Sequence, residues 1–594
     1  MQSNVDTVSL ELVKGTLQAA RAEMEALIDR TAMSPFIREK KDYFTAFIDR
    51  EGQLVVSTSL TLSGNLVEGI FDNYPIDTMR DGDLYWYNDV YSSHGGVSHF
   101  PDMVFIMPVF DDGKLFSFAE SWGHLYDIGG SVPGSISPNA TSAFQEGIMI
   151  PPVKVISAGE LNHEGFRIFT RNSRFPEMMK GDLKALMAAC SLGKRRMEET
   201  VARFGIAAVQ DAFDFMLSES EQALRSAINN RIPDGTYSFR DHIDSDAVTD
   251  DSHSVHVAVT KKNGKVKLDF SDSDDETTGP INFYMDDTVP QFITGLYFTM
   301  QDPNIRMNGG FQRVIDEIVK RKGSIVQPNF PAPVGLRSHT MIRVNSAILG
   351  AIAEATGGES SAASSVYVLY YLRSQSPETG DIDLCIEGLS VGFGARTFAD
   401  GIDAVYYVAQ KNYPVEFVET EFGALIEAFR IHTDSGGPGF HRGGCGIIRD
   451  IRVLAEEATL GLRLDNCKFP AYGVKGGKSG SPGKIIVNPG TPEERILRTM
   501  SDGNIVRKDD IIRIVTAGGG GWGNPFERPA SLVLDDVLDA FITPESAMRE
   551  YGVVLSSDGL SVDVEATREC RERAEPELRM FYRDGYFGSQ LTAS

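Results

Sequence analysis

Residues 98–127 read SHFPDMVFIMPVFDDGKLFSFAESWGHLYD. An apolar run from Val104 to Phe110 meets turn chemistry at Asp111-Asp112-Gly113. A second run rich in β-formers follows, and together they predict a β-hairpin. A hairpin sets the loop before its first strand beside the end of its second strand. His99 and Asp102, on that loop, are therefore expected near His124 and Asp127. Three of the ten histidines (His94, His99, His124) fall in this part of the chain. Two imidazoles with carboxylates form a donor set suited to Zn²⁺, Mn²⁺ or Fe²⁺. His-x-x-Asp is equally at home in a hydrogen-bonded loop without an ion, and spacing alone leaves both readings open.

Upstream, YFTAFIDREGQLVVSTSLTL (43–62) predicts another hairpin, turning at Asp49-Arg50-Glu51-Gly52. Before it, the apolar spacing over 8–31 predicts a helix. Downstream, 129–155 is rich in Gly, Ser and Pro and reads as ordered loop. Residues 182–231 have helical periodicity, with Gly193 and Gly205 read as punctuation. Residues 236–275 return to strand-like alternation, and the 340s to 420s mix helix and strand. The glycine-dense region 434–525 reads as strands joined by long loops, and a last helix signal covers about 530–550. The expected class is mixed α/β (α+β), a large interlocked multi-layer fold. Its expected regions are 1–180, β-rich and site-bearing; 181–430, helical and mixed; and 431–594, glycine-rich β with a C-terminal helix.

Composition narrows the function classes. Lys and Arg total 57 against 83 Asp and Glu, a formal charge of −26. That argues against a broad basic face for nucleic acid or an anionic membrane. The longest apolar runs are too short to cross a bilayer. The N-terminus, MQSNVDTVSLELVKGTL, lacks the pattern of a signal peptide. Five scattered cysteines without a CxxC pair are read as packing residues of a reduced, cytoplasmic protein.

Several motifs resemble active-site signatures without their context. Gly388-Leu389-Ser390-Val391-Gly392 fits GxSxG, but FGARTFADG follows rather than a helix. Gly518, Gly520 and Gly523 fit GxGxxG, but Asn524-Pro525 follows. Gly473–Ser479 resembles a P-loop with too short a spacing. No ATP site is read in this chain. His432, His441, Arg442, and His339 beside Arg337 are read either as loop structure or as oxyanion contacts.

The stretches YNDVYSSHGGVSHFPDMVFIMPVF and GHLYDIGGSVPGSISPNATSAFQEGIMIPPVKV together resemble the hydantoinase B / 5-oxoprolinase family. That family includes the large subunits of acetone and acetophenone carboxylases and the β subunit of caprolactamase. The likeness continues through REKKDYFTAF, IPDGTYSF, LDFSDSDDETTGPIN, SGGPGFHRGGCGIIRD, TAGGGGWGNPFERP and PESAMREYGVV. The resemblance implies a metal site of His99, Asp102 and His124 with an upstream acid, Asp42 first and Glu39 second. Asp127 becomes a carboxylate supporting a ligand histidine or a spare ligand, and Asp127 or Glu39 a general base. Hydantoinase-type members usually carry two adjacent histidines where this chain has Gly123-His124. They carry a further one where it has Ser63-Gly64-Asn65.

The resemblance also implies a subunit of an ATP-dependent cyclic amide hydrolase holding Zn²⁺, or alternatively Mn²⁺. Its partner would be a hydantoinase A-type subunit that binds ATP and Mg²⁺, and the implied assembly is an (αβ)₂ heterotetramer. Substrates would be lactams, hydantoins or oxoproline, with bicarbonate as a possible co-substrate. A ketone carboxylase subunit and a non-catalytic scaffold with a structural metal are the alternatives.

Overall fold

The computed structural model describes residues 7–58, 64–302, 305–375, 380–406, 410–574, 576 and 578–583. Helices and several β-sheets are interleaved along the chain, a mixed α/β architecture. It divides into two compact units, each assembled from separated segments. The first is Met1–Asp234 with Thr260–Arg337 and Val408–Lys411; the second is Gly235–Val259 with Ser338–Tyr407 and Asn412–Ser594.

The first unit is built on a seven-stranded sheet. Its strands are β1 (Tyr43–Asp49), β2 (Leu54–Ser57), β3 (Leu84–Tyr87), β4 (Asp102–Asp111), β5 (Lys114–His124), β6 (Val153–Ser157) and β7 (Glu160–Leu161), in the order β2-β1-β5-β4-β3-β6-β7. Both expected hairpins form. Asp49 Oδ1 accepts from Glu51 N and Gln53 N, and Gly52 takes a positive φ. Asp112 and Gly113 both turn with positive φ, closing β4 onto β5.

Side chains alternate across this sheet. Ser121 and Gly123 of β5 face the helix Pro176–Phe204, where Ser121 Oγ donates to Leu186 O and Gly123 meets Leu186 and Ile37. Glu120, Trp122 and His124 take the other face. Helix α1 (Thr7–Thr31) buries Leu10, Val13, Leu17, Ala20, Met24 and Ile28, a stripe spaced three or four residues apart.

Gly193 does not break its helix, contrary to expectation; Pro176–Phe204 runs straight through it. The reason is packing. A Cβ at 193 would lie 2.6 Å from Met24 Sδ, so the glycine lets α1 approach. Gly205, at φ 83°, does separate this helix from Ile206–Arg231.

In the second unit, a four-stranded sheet orders Ile382–Leu389, Val368–Gln375, Glu457–Arg463 and Met500–Arg507. A five-stranded sheet orders Ala424–Ile431, Ile447–Val453, Ile511–Val515, Lys484–Val487 and Arg495–Ile496. Val368, Leu460, Leu462, Ile485 and Ile512 are among the buried residues of one core built from both sheets.

The glycine-dense loops pack backbone on backbone. Gly392 N donates to Ala517 O, Gly519 N to Gly444 O, and Gly520 N to Ala363 O. A Cβ at Gly518 would fall 1.7 Å from Ser435 O. The expected helix over 530–550 is two helices, Ala530–Leu538 and Pro544–Tyr551. Ala540 turns with positive φ, and Thr543 caps a new start ahead of Pro544.

Candidate metal centre

The sheet register assembles the site. Asp102 opens β4 and pairs with His124, the last residue of β5. Tyr43 of β1 pairs with Gly123, so Asp42 stands at the same edge of the sheet. His124 N donates to Asp42 O, and Leu125 N to Pro101 O. His99 belongs to the loop that precedes β4. Asn88 pins this loop, donating to Phe100 O and Ile148 O while accepting from Ile150 N.

Three donor atoms converge. His99 Nε2 lies 3.0 Å from Asp102 Oδ1, His124 Nδ1 lies 3.2 Å from the same oxygen, and the two nitrogens are 3.1 Å apart. All three side chains are buried. Among the described residues, these three form the cluster able to share an ion. Two donors bound cis at about 2.1–2.2 Å are separated by about 3.0–3.1 Å, against about 3.3–3.4 Å for a tetrahedral zinc edge. The triangle matches three cis positions around a first-row divalent ion and is slightly tight for a regular tetrahedron.

Hydrogen bonding also leaves room for a cation. His99 Nδ1 and His124 Nε2 are buried without a hydrogen-bond partner. A pair of imidazoles each carrying one proton could make at most two of the triangle's three edges hydrogen bonds. With each proton on the outer nitrogen, three lone pairs face one point.

The protonation states agree. Burial, helped by Arg337, lowers the His99 pKa to about 3, so the ring is neutral near pH 7. Burial alone would raise Asp102, but His99, His124 and Arg337 outweigh it and hold the carboxyl below its usual range. Neutral imidazole and ionised carboxylate are the ligand-competent forms.

Other residues frame the triangle. Phe36, in the short helix α2 (Pro35–Arg38), stacks on the His124 ring with centroids 4.6 Å apart. Lys40 is buried with its Nζ 4.5 Å from the Phe36 centroid. Arg337 Nε donates to Ser98 Oγ at 2.8 Å, and its Nη2 is 3.7 Å from Asp102 Oδ2. The buried Asp42 carboxyl is pushed up by desolvation, opposed by His124 and Lys40, and bonds to the Gln410 side chain.

The other expected acids lie elsewhere. Asp127 Oδ1 accepts from Gly129 N and Arg174 N, and its Oδ2 from Gly134 N and Arg174 Nη1. Four donors fill the four acceptor positions of that carboxylate, which ties residues 129–134 to Arg174. It makes none of these bonds to an imidazole. Glu39 is partly exposed and pairs with Arg38.

Sequence reasoning gave no role here to Phe36, Lys40, Arg337 or Gln410. Gln410 in particular has no local signal, because only folding brings it to Asp42. Position 123 points away from the triangle, and a Cβ there would be 3.0 Å from Ile37 Cδ1. Ser63 lies outside the described residues. At Gly64 a Cβ would meet Asp286 Cβ at 2.4 Å, so that position is closely packed.

The resembling motifs have structural tasks. Ser390 Oγ donates to Asn412 Oδ1 at a strand end that no helix follows. Arg442 is engaged by Asp403 and Asp536, and His432 Nδ1 lies 3.1 Å from Thr516 O. His339 lies in the second unit, 3.7 Å from Asp465 and bonded to Arg463. The cysteines are free thiols, three of them buried. No helix among the described residues is long and apolar enough to cross a membrane.

The same overall fold is found in solved structures. The chain superposes on the ATP-dependent caprolactamase of Pseudomonas jessenii with a TM-score of 0.84 at 24% identity, covering 96% of this chain and 100% of that one. It superposes on a nucleotide-free acetone carboxylase with a TM-score of 0.80 at 19% identity, covering 96% and 82%. Residues 6–525 match the hydantoinase B/oxoprolinase family, and the chain belongs to it. A protein of Pseudomonas sp. (strain NS671), provisionally named as the B-type subunit of a D-/L-hydantoinase, is 30% identical over 96% of this chain and 98% of its own length.

Proposed function

We propose that this chain is the metal-bearing subunit of an ATP-dependent cyclic amide hydrolase. The observation that carries the reading is the buried triangle of His99 Nε2, Asp102 Oδ1 and His124 Nδ1, each side 3.0–3.2 Å. Family membership and the name of a full-length relative, which marks it as one part of a larger enzyme, support the rest. Zn²⁺ or Mn²⁺ would be held by these three residues, with Asp42, the acid implied by the family resemblance, as the fourth ligand. A bound ion of this kind supplies a Lewis acid and lowers the pKa of water.

This chain's own residues then have defined tasks. Arg337 holds Ser98 and offsets the charge of Asp102, keeping that carboxylate ionised. Phe36 fixes the plane of His124 and keeps water off one face. Glu39, nearer solvent, is the acid left to move a proton, since Asp127 is saturated and Asp42 is assigned to the ion. An unstrained cyclic amide is a poor electrophile. A hydantoinase A-type partner would therefore use ATP and Mg²⁺ to phosphorylate the amide oxygen, or to make carboxyphosphate from bicarbonate. The products are an ω-amino acid or N-carbamoyl acid, ADP and phosphate. The complex would be a cytoplasmic (αβ)₂ heteromer.

A ketone carboxylase subunit is the second reading. Gly123-His124, in place of paired histidines, favours it, and the acetone carboxylase fold is compatible with it.

Two measurements test the proposal. His99→Ala and His124→Ala should each lose bound zinc or manganese by elemental analysis, together with the activity of the reconstituted complex. Full metal content in both variants refutes the ligand set, and full activity without metal favours a scaffold. ADP release should depend on ε-caprolactam, hydantoin or 5-oxoproline; dependence on acetone or acetophenone selects the carboxylase.

A further inference from the structure

Arg337 reaches the His/Asp triangle from a tight turn. Its backbone N donates to Val334 O at 2.9 Å, which closes residues 334–337 on themselves. From there its Nε donates to Oγ of Ser98, the residue before His99, and its Nη2 lies 3.7 Å from Asp102 Oδ2.

The first two amides of this turn go to one side chain. Glu146, only 1% exposed, accepts from Val334 N on Oε2 at 3.0 Å and from Gly335 N on Oε1 at 2.7 Å. The short helical turn Ala143–Gln145 fixes Glu146 in its place, with Glu146 N donating to Ala143 O. A Cβ at 335 would lie 2.7 Å from Glu146 Oε1, so a glycine there lets backbone and carboxyl meet. Burial pushes the Glu146 carboxyl up to about 8, against the pull of the two amides and of Arg337. Both oxygens accept in either protonation state, more strongly once ionised. Burying a carboxyl is costly, and the two hydrogen bonds that offset this cost lead directly into Arg337.

We infer that Glu146 is a positioning residue of the candidate metal centre: its carboxyl clasps the turn at Val334 and Gly335, and the turn aims Arg337 at Ser98 and Asp102. This rests on the metal-centre reading proposed above. Every residue involved lies in the first unit. Leu336 N donates to Pro280 O and Asn282 Nδ2 to Pro333 O, so the chain around the clasp has anchors of its own. Loosening the clasp therefore changes the aim of Arg337 without releasing the segment. A carboxyl that only braced the fold would act whether or not Arg337 were present. A clasp working through Arg337 has nothing left to do at the triangle once that side chain is gone.

Hydrogen exchange of the full chain in EDTA, followed in peptides covering 97–104 and 331–338, tests the clasp without metal. Glu146→Gln turns one acceptor into a donor. Gly335→Ala keeps both side chains and displaces the carboxyl. Each should speed exchange in both segments about threefold or more. Arg337→Met should speed 97–104 about tenfold, the loss of a charge-assisted hydrogen bond, and Glu146→Gln added to it should change that segment no further. Titration with Zn²⁺ against a chromophoric chelator then ties the clasp to the centre. Glu146→Gln and Gly335→Ala should each weaken binding about tenfold, and Glu146→Gln should add nothing beside Arg337→Met. The inference is overturned if both clasp variants exchange at 97–104 as the parent does, if the effects of Glu146→Gln and Arg337→Met add, or if both clasp variants bind zinc as tightly as the parent. A parent that binds no zinc refutes the ligand set of the proposed function, and the exchange result still decides whether Glu146 aims Arg337.

Discussion

Replacing Glu120 by Gln should stabilise the first unit, increasingly so as pH rises. Glu120 sits mid-strand in β5, opposite Ala46 of β1 and Ile106 of β4. It is fully buried, and neither carboxyl oxygen has a hydrogen-bond partner among the described residues. Desolvation raises its pKa well above 4.5. A folded pKa above the unfolded one means that its contribution is intact below pH 4.5 and is lost as pH climbs toward the folded value. In that window each pH unit costs about 1.4 kcal/mol. Glutamine keeps the shape and removes the titration. The two chains should be closest in stability near pH 5, and the variant's lead should widen steadily to pH 7, by roughly one to three kcal/mol. Urea unfolding at pH 5, 6 and 7 in EDTA, followed by tryptophan fluorescence, measures the gap. His99 and Asp42 titrate alike in both chains and cancel. Parallel pH profiles would show that Glu120 is ionised and paired in the folded state.

Other outcomes follow from named contacts. Ser390→Ala should leave the reconstituted complex fully active, since Ser390 only donates to Asn412; loss of turnover would reinstate a serine nucleophile. Gly518→Ala places a Cβ 1.7 Å from Ser435 O and should cost more than about 3 kcal/mol or prevent soluble expression. Gly15→Ala in α1, where a Cβ meets nothing within 4 Å, should instead stabilise by about 0.5–1 kcal/mol in thermal unfolding. Arg174→Ala removes the Nη1 donor from Asp127 and the donors to the loop carbonyls of Gly129, Gly130 and Val132, leaving the backbone amide bond to Asp127. About 2–3 kcal/mol of stability should be lost, with faster proteolytic cleavage between 129 and 134.

Much of the site was legible because it is local. Asp102 and His124 are close because one hairpin fixes them, and a hairpin's register follows from its turn and its alternation. Short-range signals also gave α1 and the break at Gly205. Gly193 misled because a glycine within a helix carries one local signal for two causes, a break or a close approach. Only Met24, far away in sequence, distinguishes them. Asp127 misled for a related reason. Its spacing from His124 is compatible with supporting a metal ligand, but the geometry of 129–134 and Arg174 takes all four of its acceptor positions.

The sequence by itself determined the family, the mixed α/β class and the triad His99, Asp102 and His124. These are matters of pattern and of neighbours along one hairpin. The tertiary structure decided which nitrogens face inward, how far apart they lie, and that Arg337, Phe36 and Gln410 surround them. It also set Glu146 on the amides of Val334 and Gly335, in the turn that carries Arg337. Those facts depend on contacts between segments distant along the chain, whose distances and protonation states arise only when burial removes water from between them.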